Sequence, residues 1–98
     1  MSTSSTSQRT LQEITTQLGA DEVMSRAKAF FPSRPSLYAA FLDKEGPGFC
    51  TFRGQGGEEI IIAVSAAEGA GTRVTGSTYL FDMQISRFFA TLDLAGVS

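Results

Sequence analysis

Three short breaks do more than any other feature to limit what this chain can fold into. They are Glu45-Gly46-Pro47-Gly48, Gly54-Gln55-Gly56-Gly57 and Glu68-Gly69-Ala70-Gly71. Glycine reaches positive φ without steric cost, and proline presets φ for a turn. The segments on either side are short and apolar or β-branched: Ser36–Glu45, Phe49–Arg53, Glu58–Val64 and Thr72–Leu80. Strands of this length joined by tight turns predict an antiparallel meander. Ser36–Glu45 would carry Leu37, Ala39 and Phe41 on one face and Tyr38, Ala40 and Leu42 on the other. An apolar strand on both faces must be covered twice or meet a partner.

A helix is expected on each side of the meander. Gly19-Ala20-Asp21-Glu22 resembles a helix start, because acidic residues in the first turn complement the positive end of the helix dipole. Ala20, Val23, Met24, Ala27, Phe30 and Phe31 form one stripe, with Asp21, Ser25 and Lys28 facing away. Pro32-Ser33-Arg34-Pro35 ends that helix near Phe31. After the meander, Phe81, Ile85, Phe88, Phe89 and Leu92 recur at helical spacing, opposite Gln84, Ser86 and Arg87. Asp82 is placed to cap this helix. Its apolar stripe is expected on the concave face of the sheet.

The N-terminal end admits two readings. Leu11, Ile14 and Leu18 are spaced as on a helix, whereas Ile14-Thr15-Thr16 is β-branched and Gly19 breaks the run. We take a strand over 9–17. Residues 1–8 are polar and expected to be a disordered tail, 9–93 a single α+β domain, and 94–98 a frayed end.

Composition removes several function classes. The net charge of −2 and the lack of any Lys/Arg cluster argue against nucleic acid, whose phosphates are met by positive charge. The chain has no histidine and one cysteine, so Ser-His-Asp and Cys-His sets cannot be built, and no metal or other cofactor is implied. Cys50 lies between Phe49 and Phe52 and is expected to be a buried structural thiol. Residues 1–7 lack the apolar core of a signal peptide, and no run approaches the length of a membrane span, so a cytoplasmic location is expected.

The order strand, helix, antiparallel meander and long C-terminal helix resembles the START-like superfamily (Bet v 1-type, polyketide-cyclase-like helix-grip proteins). Gly19-Ala20-Asp21-Glu22-Val23, Gly71-Thr72-Arg73-Val74-Thr75 and the helix from Asp82 to Leu92 carry the likeness. The resemblance implies a helix gripping a curved sheet around an apolar ligand. This chain has room for at most five strands where members usually have six or seven. A shortened member could close its open sheet edge against a second copy.

Each candidate site has a plain structural alternative. Gly54-Gln55-Gly56-Gly57 leads into a strand with Glu58 and Glu59 rather than a helix N-terminus, which suits a hairpin better than a phosphate loop. Glu58 and Glu59 are adjacent on a strand and point to opposite faces, so they cannot share a proton. Arg53 and Arg73 could clamp an anion or simply charge the sheet, and Tyr38 and Tyr79 could place polar tips in an apolar pocket or pack. Phe88 and Phe89 could be core or partner contacts. Gly76, inside a strand, marks close approach by the closing helix or a partner chain.

No constellation here requires catalysis. The expected function is a small non-enzymatic interaction module or accessory subunit, acting through a hydrophobic surface in a homodimer or larger complex. The alternative is a carrier of a small hydrophobic ligand whose polar end meets Arg53, Arg73 or Tyr38. A cyclase- or isomerase-type enzyme has the least support.

Overall fold

A computed structural model describes the backbone of residues 9–96 and the side chains of residues 9–92. The expected tail at 1–8 therefore lies outside the described residues. The fold is α+β. The chain runs β1 (Thr10–Thr16), α1 (Ala20–Phe30), two 3₁₀ turns (Phe31–Ser33 and Ser36–Tyr38), β2 (Ala40–Gly46), β3 (Phe49–Gly54), β4 (Glu59–Ala66), β5 (Thr72–Thr78) and α2 (Asp82–Gly96). The five strands form one antiparallel sheet in the order β1-β5-β4-β3-β2. The meander is as the turns predict, and β1 returns to pair with the last strand, Thr10 opposite Thr78 and Thr16 opposite Thr72.

Both helices cover one face of this sheet. Alternation sends Cys50, Phe52, Ile60, Ile62 and Val74 to the helix side, and all five are buried. They meet Val23, Ala27 and Phe31 from the first helix and Ile85, Phe88 and Leu92 from the second. Phe31 sits 4.9 Å from Phe52 and 5.2 Å from Phe88, ring centre to ring centre, and Phe30 is 5.5 Å from Phe88. Aromatic pairs at this range add stabilisation beyond their buried area. At Gly76 a Cβ would lie 2.7 Å from Ile85 Cγ2, so the glycine lets α2 settle directly onto β5. Of the two approaches foreseen there, the closing helix is the one found. Gln12 on β1 pins the same helix: its amide nitrogen donates to the Asp82 carbonyl at 2.9 Å, and its oxygen accepts from Ser86 Oγ at 2.9 Å.

Four expectations need correction. Ser36–Tyr38 is a 3₁₀ turn, because Tyr38 N–H donates to the Pro35 carbonyl at 2.7 Å before the chain extends. Leu37 and Tyr38 thus precede the strand and are exposed. Of the two outcomes expected for the next strand, cover on both sides or contact with a partner, the first is not found. Phe41 and Leu42 stay 54% and 44% exposed on this edge strand, where a bulge between Leu42 and Lys44 interrupts pairing. Asp82 is the first helical residue rather than the cap: the N–H groups of Gln84 and Ile85 both reach the Phe81 carbonyl, which makes Phe81 the capping position. The closing helix continues past Leu92 to Gly96, because Asp93, Leu94 and Ala95 contain no proline or glycine to stop it.

Candidate functional site

The sheet face opposite the helices is open. Register places Leu11, Ser77, Ile61 and Thr51 in one row across it, and Glu13, Thr75, Ala63 and Phe49 in the next. Leu11, Phe41 and Tyr79 are more than half exposed, and Ile61 lies half-buried near the middle. The arginines of this face are ion-paired, whereas Lys44, opposite Thr51, pairs with none of the described carboxylates. Arg53 reaches Asp43 at 3.3 Å and Glu59 at 3.7 Å, Arg9 reaches Glu59 at 3.3 Å, and Arg73 reaches Glu13 at 3.2 Å. The Arg9 guanidinium also lies 4.8 Å from the centre of the Tyr79 ring.

The six sequence candidates separate into different environments. Arg53 and Tyr79 line one shallow hollow with Arg9, Glu59 and Leu80. Arg73 lies toward the other end of the sheet, paired across β1 and β5 with Thr15 as its strand neighbour. Tyr38 is half-exposed beside Phe81, ring centres 6.1 Å apart. Phe88 and Phe89 are buried in the core. Glu58 and Glu59 do diverge: Glu58 accepts the Gly56 N–H at 3.0 Å, closing the hairpin, while Glu59 joins the arginines. Cys50 is buried and its thiol is pushed up to about 11, chiefly by burial and then by the nearby Glu45 carboxylate. A thiol held protonated at neutral pH and sealed from solvent is a packing group.

A second feature lies at the end of the sheet where β5 passes into α2. A groove of about 380 Å³ runs between the Arg34–Tyr38 segment and the first turns of the helix, lined by Arg34, Tyr38, Leu80, Met83, Gln84 and Arg87. Leu80 also borders the Arg53–Tyr79 hollow and forms the ridge between the two. Arg34 is held in place: its Nε donates to Gln84 Oε1 at 2.8 Å, and its guanidinium stacks 5.0 Å from the centre of the Phe30 ring. Sequence reasoning passed over Arg34, Leu80, Met83 and Arg87. Arg34 read as part of a helix stop, and Arg87 as part of a polar helix face. Only the fold places them together.

Among the described residues no helix is long and apolar enough to cross a membrane, and no three His, Cys, Asp or Glu side chains gather as metal ligands would. No family model matches the chain, and neither the curated proteins nor the solved structures give a match.

Proposed function

We propose that the chain is a small non-enzymatic interaction module whose open sheet face associates with a second copy of itself. The observation that carries this reading is the exposed apolar set Leu11, Phe41, Phe49 and Tyr79 on a face whose arginines are already ion-paired. Burying unpaired charge is expensive, whereas pairs formed within one copy lower the desolvation cost of covering them. Size is adequate. Five strands at ~4.8 Å spacing, about seven residues long at ~3.3 Å each, give a face of roughly 24 by 23 Å. Allowing for side-chain relief, that approaches the ~800 Å² per partner of a standard interface.

A distant START-like kinship rests on the succession of strand, helix, antiparallel meander and terminal helix. The carrier reading would require a hollow grip. Here Phe31, Phe52, Ile85 and Phe88 occupy the space between sheet and helices, and the hollows described all open at the surface.

Light scattering on the eluting protein tests the association. The wild type should elute as a dimer. Ile61→Lys, at the centre of the open face, should give a folded monomer with a melting temperature within a few degrees of wild type, since a half-buried surface position away from the core carries modest stability. A wild type that stays monomeric at about 100 µM, a concentration covering ordinary specific interfaces, overturns the proposal.

A further inference from the structure

We infer that the groove between Arg34–Tyr38 and the start of α2 binds a small amphipathic carboxylate, with Arg34 and Arg87 on its head and Tyr38, Leu80 and Met83 around its tail. Charge accounting leads to this. Arg9, Arg26, Lys28, Arg53 and Arg73 each pair with a carboxylate. Arg34, Lys44 and Arg87 pair with none of the described carboxylates, and two of those three line this one groove. In a chain of net charge −2, two cations with no counter-ion among the described residues beside one apolar hollow are a selective arrangement.

Local geometry favours the carboxylate. Arg34 spends Nε on Gln84, which leaves its two terminal nitrogens without a partner among the described residues. A guanidinium fixed at Nε presents a planar pair of donors matched to a carboxylate. Gln84 is itself buried and holds Arg34, and Arg87, three residues further along α2, lines the same groove. The groove also borders the first turn of α2, whose positive dipole end favours an anion. The Asp82 carboxylate opposes that effect from the same turn but does not line the groove. Leu80 and Met83 are 70% and 58% exposed, large apolar side chains left in water beside the cations. The volume lies at the small end of the roughly 300–1,000 Å³ of ligand pockets, which suits a short alkyl chain. The site adjoins the open sheet face only at the Leu80 ridge and is not the space between sheet and helices.

Two-dimensional amide NMR of the ¹⁵N-labelled chain, titrated with octanoate, octan-1-ol and acetate, is the test. Octanoate should shift resonances of 34–38 and 80–87 with a Kd on the order of a millimolar, as befits so small a ligand. Octan-1-ol, which keeps the tail, and acetate, which keeps the head, should each bind at least about tenfold more weakly. Arg87→Gln, at an exposed position, should weaken octanoate by about tenfold and leave the remaining spectrum in place. Arg34→Lys keeps the charge but loses the fork, and should weaken octanoate as well. The inference is overturned if octanoate gives no saturable shift at 34–38 and 80–87 up to about 20 mM, if octan-1-ol binds equally, or if Arg87→Gln changes nothing. Because these readouts do not depend on oligomeric state, failure here leaves the sheet-face reading intact, and the converse also holds.

Discussion

The two faces of the sheet use similar residues to opposite ends. On the helix side Phe31 packs against both Phe52 and Phe88, and all three are shut off from solvent. On the other side Phe41, Phe49, Leu11 and Tyr79 remain in contact with water, between rows of ion pairs. Residue type alone does not separate them. Among the strand residues, what separates them is the strand period: every second side chain, such as Phe52, joins the core, and intervening ones, such as Phe49, define a surface. Phe31 and Phe88 reach the core from the helical layer. Buried aromatics on one face hold the monomer together, so those on the other are available for association.

The same substitution made on each face breaks or upholds that contrast most sharply. Phe88→Ala should cost about 3–5 kcal/mol by denaturant unfolding, enough to leave a domain of this size marginal or unfolded. Phe41→Ala should change monomer stability by only about 0.5 kcal/mol and lower self-association instead. Equal losses at the two positions would show that the open face is structural.

How α2 seats on the helix side gives a smaller effect. Gly76→Val should cost about 1–3 kcal/mol, because the new side chain would meet Ile85 at a distance real contacts avoid. In an Ile85→Ala background the same change should cost less, with a coupling of at least about 0.5 kcal/mol. Simple additivity would mean that the helix does not rest on β5 at this point.

The smallest effect belongs to the ion pairs of the open face. Arg73→Ala should alter stability by less than about 1 kcal/mol, with a difference that shrinks further in salt, because both partners are well exposed. A larger loss would mean that the Glu13–Arg73 pair anchors β1 to β5.

Much of the architecture is legible in the residues because local chemistry and tertiary demand agree. Gly48, Gly57 and Gly71 occupy positive φ at the three breaks, and at Gly71 a Cβ would approach the Thr16 carbonyl to 2.5 Å, so that turn closes tightly on β1. The closing stripe from Phe81 to Leu92 is buried as its period requires. The reading fails where period two continues through a non-strand. Leu37 and Tyr38 alternate smoothly with Phe41 and Leu42, but Pro35 accepts a hydrogen bond that coils the chain first. The groove is illegible for a different reason. Arg34 and Arg87 look no more distinctive in the sequence than Arg53 and Arg73. Their distinction is the lack of an ion-pair partner among the described residues, which depends on what the fold brings near.

The pairing of Thr10 with Thr78 has a consequence for how the protein is made. Those positions are separated by 68 residues, 78 minus 10, so β1 is synthesised long before the strand it must join. At about 5–20 residues per second, it waits between about 3 and 14 s beside a growing chain. Until Thr72–Thr78 emerges, β4, which carries Ile60 and Ile62, lacks its neighbour on that edge, and α2 has yet to cover the sheet beside α1. Long-range closure of this kind slows folding and leaves strand edges exposed meanwhile. The nascent chain is therefore most vulnerable to pairing with other chains just before synthesis of its last strand, and completing β5 and α2 ends that exposure in one late step.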